Sequence, residues 1–301
     1  MSTPRSDDAP LLDVGKPIPL VNEPCETGEG PLWHDGEQAL YWLDIPTGRL
    51  FRYDPASKHN EVVFQHTDPI GGYTIQEDGS LLLFCEAGEI LRWRDGEVTT
   101  VIDGMAREHD TRFNDVIADP VGRVFCGTMP SDNHHASLYR LDTDVTLTQV
   151  FDDIGQANGM GFTADRSTMF FTDTGFRAIY RLDYDEASGE LTNRTPIVRT
   201  PKENGVPDGL GVDVSDTIWS ARYGGHGLFR YTAEGKLAGK VAMPVKKVTS
   251  VTFGGDDYRT AFLTSAGGND RRGENGNLAG SLFSIDLGVT GKPAFRSRVR
   301  V

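Results

Sequence analysis

The chain has 301 residues, room for two domains at about 100–200 residues each or for one large all-β domain. Thirty Lys and Arg against forty-four Asp and Glu give a net charge of −14, which repels phosphate backbones and anionic headgroups and argues against nucleic acid or a membrane surface as partner. The longest apolar run, Leu81 to Cys85, falls far short of the ~20 residues of a membrane helix, and 35 glycines without a Gly-X-Y period point to a fold with many tight turns.

Residues 1–20 read as a polar tail without a stretch suited to a secretory signal, which sets the expectation of a cytoplasmic protein. Residues 21–301 carry no linker or shift of composition and are expected to form one domain. Within them a bulky–aromatic–Arg–bulky pattern recurs imperfectly, at Leu50-Phe51-Arg52-Tyr53, Ile90-Leu91-Arg92-Trp93, Leu138-Tyr139-Arg140-Leu141, Ile179-Tyr180-Arg181-Leu182, Leu228-Phe229-Arg230-Tyr231 and Leu282-Phe283-Ser284-Ile285. Successive copies lie 40, 48, 41, 49 and 54 residues apart. An apolar strand precedes each copy, centred on Trp42, Leu82, Phe125, Phe171, Trp219 and Phe262, so the unit is a β-hairpin. Short strands at a 40–50-residue period predict an all-β, six-bladed β-propeller.

In a propeller the innermost strand of each blade begins beside the axis, about 11–13 residues before the strand anchor. Four blades place a polar residue there: Glu29, Asn114, Asn158 and Asp208. The dipeptides Asn158-Gly159 and Asp208-Gly209 taken singly also suit type I′ hairpin turns, but turns do not require Glu29 and Asn114 to share the register. Two carboxylates and two amides around one axis, without Cys or His, are hard oxygen donors suited to Ca²⁺, Mg²⁺ or Mn²⁺. Such an ion polarises a carbonyl and lowers the pKa of water, as hydrolysis of an ester or lactone needs. Strand alternation puts Arg112 on the same face as Asn114, where it can reach a polar substrate.

Asp132 lies in the long loop 128–136 with His134 and His135, a possible lid, and is a further candidate for substrate contact. Asp44 and Asp173 are expected to organise turns. Cys25, Cys85 and Cys126 match neither a disulfide framework nor a zinc-ligand spacing and are expected to be ordinary reduced thiols. Arg296, Arg298 and Arg300 alternate at the C-terminus as a solvated strand face would.

The ordered set Gly28-Glu29-Gly30-Pro31-Leu32-Trp33, Arg112-Phe113-Asn114-Asp115, Gly127-Thr128-Met129, Asn158-Gly159, Pro207-Asp208-Gly209 and Phe253-Gly254-Gly255 resembles the gluconolactonase, regucalcin and luciferin-regenerating enzyme family from about Glu26 onward. The resemblance implies a metal-dependent lactone hydrolase with Glu29, Asn158 and Asp208 as metal ligands, Arg112 and Asn114 as the substrate-binding pair, and Asp132 in place of the family's usual Glu beside the sugar. It implies one divalent cation, Ca²⁺ first, with Mg²⁺, Mn²⁺, Zn²⁺ and Fe²⁺ also compatible, and a small sugar lactone as partner of a monomeric chain. Asp208 is the candidate general base. The rival readings are a phosphotriesterase or aryl esterase on the same scaffold, and a non-catalytic propeller holding a structural ion.

Overall fold

The recurring motif and the strand before it form the second and third strands of a series of antiparallel sheets. The computed structural model describes residues 9–301. After the edge strand β1 (Ile18–Val21), the first sheet runs β2 (Gly28–His34), β3 (Ala39–Asp44), β4 (Arg49–Asp54) and β5 (His59–Gln65). The second is β6 (Ile70–Ile75), β7 (Leu81–Cys85), β8 (Glu89–Arg94) and β9 (Glu97–Asp103). The third is β10 (Phe113–Ala118), β11 (Val124–Thr128), β12 (Ala136–Leu141) and β13 (Leu147–Ile154), and the fourth is β14 (Ala157–Phe162), β15 (Thr168–Asp173), β16 (Ala178–Tyr184) and β17 (Leu191–Arg199). The remaining strands are β18 (Val206–Val212), β19 (Ile218–Tyr223), β20 (Gly227–Tyr231), β21 (Leu237–Ala242), β22 (Lys247–Gly254), β23 (Thr260–Ala266) and β24 (Leu282–Asp286).

Those seven strands and β1 belong to a single eight-stranded sheet, and this corrects the expectation of six separate blades. The fold is all-β and propeller-like, with four four-stranded sheets and one eight-stranded sheet among the described residues. The junction is the pair Tyr223↔Lys247, which joins β19 to β22 and is reinforced by the Lys247 ammonium over the Tyr223 ring at 4.7 Å. A hydrogen bond between consecutive repeats leaves no mark on the spacing within each repeat, so the count of repeats overstates the count of sheets.

The innermost strands pack in succession. β2 meets β6, β6 meets β10, β10 meets β14, β14 meets β18, β18 meets β22, and β22 returns to β2. The second strands lie between neighbouring sheets, and β3, β7 and β15 are buried at every position. They therefore read as continuous apolar runs, whereas β5 and β9 on the outside are mostly exposed. Trp42, Phe125, Phe171 and Trp219 are fully buried in these layers, each contributing roughly 1.5–3 kcal/mol or more by leaving water.

Both ends of the described chain are fastened to the sheets. Of the expected tail 1–20, residues 1–8 lie outside the described residues. Leu12 N–H donates to Lys240 O, and β1 pairs with β24. The C-terminal segment crosses the far end of the central channel. Lys292 Nζ reaches Phe162 O at 2.7 Å and Asp216 at 3.1 Å, and Gln76 exchanges two hydrogen bonds with the Val299 backbone. Arg296 pairs with Asp35 and Arg298 with Glu77. Arg298 and Arg300 are exposed while Ser297 and Val299 between them are buried, the alternation expected of a solvated face, and Arg296 is half-buried on its ion pair. Among the described residues no helix is long and apolar enough to cross a membrane.

Candidate active site

Every innermost strand carries a bulge near its start. Register slips occur between Glu29 and Leu32 in β2, Ile70 and Gly72 in β6, Phe113 and Val116 in β10, Asn158 and Met160 in β14, Pro207 and Leu210 in β18, and Val248 and Val251 in β22. A bulge bends the strand and re-aims a side chain, and here it does so where each candidate residue stands. Asn158-Gly159 and Asp208-Gly209 thus sit inside β14 and β18, not in hairpin turns. Their glycines serve close packing: a Cβ on Gly159 would lie 2.3 Å from Leu210 N, and one on Gly209 would lie 2.2 Å from Ser250 Oγ.

Glu29, Asn114, Asn158 and Asp208 are all buried. Asn114 donates from Nδ2 to Ala157 O at 2.8 Å, while its Oδ1 accepts from Arg112 Nη1 at 2.8 Å. Arg112 also donates to Phe113 O at 2.8 Å. The Arg112–Asn114 pair expected from strand alternation is therefore a direct hydrogen bond. Asn158 Nδ2 donates to Thr174 Oγ1 at 3.1 Å, and Thr174 Oγ1 donates on to Pro207 O at 2.6 Å. This chain fixes the orientation of the Asn158 amide.

The electrostatics show where charge is missing. Burial first, then the Asp208 and Asp115 carboxylates, raise the Glu29 pKa well above the usual range, against the pull of Gly30 N–H and Arg112. Burial and then Asp115 raise Asp208 likewise, opposed by Asn158, Arg112 and Arg222. Burial pushes Asp115 up to about 6, with Val116 N–H opposing. Burial also pushes Arg112 down to about 10, partly offset by Glu29, Glu86 and Asp208, so it keeps its charge at neutral pH. Converging carboxylates in a desolvated site favour the protonated form, and a divalent cation among them reverses that preference. The oxygen donors of Glu29, Asn158 and Asp208 fit a hard divalent ion.

Asp132 is exposed in the loop 128–136. Among the described residues no hydrogen bond joins it to Arg112 or Asn114. Its neighbours fasten the loop elsewhere: Asn133 Nδ2 donates to Asp110 Oδ2 at 2.6 Å, and His134 Nε2 lies 3.4 Å from Asp110 Oδ1.

A family model described as SMP-30/Gluconolactonase/LRE-like region matches residues 27–267. Pentonolactonase XacC of Haloferax volcanii is 47% identical over 291 residues, covering 94% of this chain and 98% of that protein. The chain belongs to the SMP-30/gluconolactonase/LRE-like family. Regucalcin of Bos taurus is 32% identical over 92% of this chain and 96% of its own length. A luciferin-regenerating enzyme structure superposes with a TM-score of 0.84 at 26% identity, covering 91% of this chain and 96% of that one.

Alongside the family motifs stand groups that pattern reasoning missed. Asp115 follows Asn114, so strict alternation turns it away from the axis, yet the bulge in β10 lets it line the central cavity. That cavity, of about 170 Å³, is bounded by Tyr73, Asp115, Met160, Leu210, Ser250 and Phe295 among others. The phrase Arg112-Phe113-Asn114-Asp115 held the signal, in the second acidic residue. Arg222, paired across the strands with Pro207, is fully buried. It donates from Nη2 to Tyr231 Oη at 2.8 Å and sits over the Phe229 ring at 5.0 Å. Nothing in the sequence distinguishes this arginine from the exposed ones.

Proposed function

We propose that this chain hydrolyses a sugar lactone to its aldonic acid, using a divalent cation held by Glu29, Asn158 and Asp208. The observation that carries the reading is the convergence of buried, donor-poor carboxylates beside a hydrogen-bonded Arg112–Asn114 pair at the mouth of the channel. The lactonase class rests on family membership and on the 47%-identical pentonolactonase. Five-carbon aldonolactones are accordingly the first substrates to try. Ca²⁺ is the first cation to try, because the donors are oxygens only.

When bound, the cation supplies Lewis acidity toward the lactone carbonyl. Arg112 and Asn114 bind and orient the sugar hydroxyls. Arg112 is suited to this because its charge survives burial and its fork offers several donors. A water adds to the carbonyl carbon, Asp208 takes its proton as general base and hands it to the ring oxygen, which leaves as a hydroxyl when its bond to the carbonyl carbon breaks. Asp132, exposed on the loop 128–136, is the remaining candidate for a substrate contact. All of these groups come from one chain, so a monomer suffices. Three buried free thiols fit a reducing, cytoplasmic setting.

The test is proton release from a panel of aldono-1,4- and 1,5-lactones, an aryl ester and a phosphotriester, with chelated and metal-restored protein and spontaneous opening subtracted. Hydrolysis of sugar lactones that is lost on chelation and restored by a divalent ion is the expected result. Activity confined to the phosphotriester or aryl ester, or no activity with any ion, contradicts the reading.

A further inference from the structure

A second set of donors lies on the rim between the first two sheets, apart from the axial carboxylates. His66 follows β5, Cys85 ends β7 and Glu89 opens β8, and one donor atom from each lies within 4.8 Å of the other two. His66 Nε2 is 3.6 Å from Glu89 Oε2, and two light-atom ligands on one tetrahedral ion stand about 3.4 Å apart, given bonds of about 2.0–2.1 Å. Closing the set onto an ion therefore takes about an ångström of donor-atom motion.

The surroundings of His66 favour ligation. His66 Nδ1 lies 3.3 Å from Asp68 O. With that nitrogen protonated, the imidazole donates to a backbone carbonyl and leaves Nε2 free, the arrangement that orients a metal-bound histidine. Asp68 N–H, 3.2 Å from the same nitrogen, supports the other tautomer, so an ion at Nε2 selects between the two. Cys85 is fully buried and its strand is held in register by Ile70. His66 and Glu89 are only partly covered, which leaves a path from solvent. Thiolate and carboxylate together balance a double positive charge, and the three donors leave one coordination position open.

We propose that His66, Cys85 and Glu89 form a second metal site, selective for a zinc-class divalent ion through its thiolate and imidazole, whereas the all-oxygen axial site suits a harder ion. Binding releases the Cys85 thiol proton to solvent, because the thiolate is the ligand. The site clamps the β7–β8 turn, whose Glu86 forms an isolated backbone β-bridge with Arg112. It thereby steadies the strand edge beside the substrate pair.

The test is a titration of the metal-stripped full-length protein with Co²⁺ alone, following the thiolate-to-cobalt absorption in the near ultraviolet. Asp208→Asn, Cys85→Ser and Glu89→Gln are run in parallel. The expected result is a thiolate band in wild type that survives Asp208→Asn and vanishes in Cys85→Ser, with Glu89→Gln weakening Co²⁺ binding at this site roughly tenfold or more. Lactone turnover per folded molecule of Cys85→Ser is expected to remain when the axial ion is supplied. Absence of the band in wild type, or its persistence in Cys85→Ser, overturns the proposal. Should Cys85→Ser fail to fold, the Glu89→Gln affinity decides: an unchanged value rejects the site and a weakened one supports it. Because the readout is absorbance and affinity, a failure here is distinct from a failure of the lactonase reading.

Discussion

Two groups of buried carboxylates occupy different regions of this fold. At the sheet rims, Asp44, Asp119, Asp173 and Asp213 are essentially inaccessible, yet each is surrounded by donors. Asp173 accepts from the N–H groups of Gly155, Gln156 and Phe176. Asp213 accepts from Ser215 and Thr217 N–H and from Trp219 Nε1. Asp119 accepts from Val121 and Arg123 N–H, from the Arg123 guanidinium and from Tyr184 Oη. Asp44 binds Thr27 N–H and Arg49. At the channel mouth, among the described residues, Glu29 accepts only its neighbour Gly30 N–H and Asp115 only Val116 N–H. Buried charge persists when it is paired or hydrogen-bonded. The rim carboxylates are fully partnered, and the axial ones are the groups that a cation would satisfy. Donor count therefore distinguishes these four rim acids from Glu29 and Asp115 where burial does not.

This contrast breaks if substitutions in the two regions behave alike. Asp208→Asn is expected to cost about 10²–10³-fold in lactone kcat/KM, the scale of losing one electrostatic contact to the transition state, while the thermal midpoint of the metal-free protein holds or rises. Steady-state kinetics and calorimetry check both. Asp119→Ala is expected to do the reverse. It strands Arg123 and costs roughly 3–5 kcal/mol of stability, measured by denaturant unfolding, with kcat unchanged for the folded fraction. Arg112→Lys keeps the charge but loses the guanidinium whose Nη1 meets both Asn114 Oδ1 and Phe113 O. Its KM is expected to rise about tenfold, with a smaller change in kcat.

The smallest effect is on stability against pH in chelated protein. The folded pKa of Asp115 is raised from 3.8 to about 6. The folded state therefore holds its proton more tightly than the unfolded chain, and this contribution is full below about pH 3.8 and lost as pH rises through about 6. Glu29 and Asp208 are raised as well and extend the loss upward. Melting curves of chelated protein are expected to fall from pH 5 to pH 8, and a divalent cation is expected to flatten them. A chelated profile that rises over that interval contradicts the electrostatic account.

The axial register was legible because the repeat places each inner strand at a fixed distance before its anchor, and Glu29, Asn114, Asn158 and Asp208 all fall at strand starts. Asp115 was not, because alternation hides a residue that a bulge turns inward. The joining of the last sheets by Tyr223 and Lys247 was invisible for a related reason: hydrogen bonding between repeats is independent of the pattern within them. The ion-pair partners of Arg296 and Arg298, Asp35 and Glu77, lie more than 200 residues away in the chain, beyond the reach of a local pattern. Cys25, Cys85 and Cys126 are free and buried, as their lack of a pairing pattern predicted.

The central claim is that Glu29, Asn158 and Asp208 form a cation site. Calorimetric titration of chelated protein with Ca²⁺, Mg²⁺ and Mn²⁺ at pH 7.5, for wild type and Asp208→Asn, tests it most directly. The account predicts one equivalent of at least one of these ions bound by wild type, with a raised melting temperature, and binding weakened at least tenfold in the variant. No binding by wild type, or equal affinity in the variant, would contradict it.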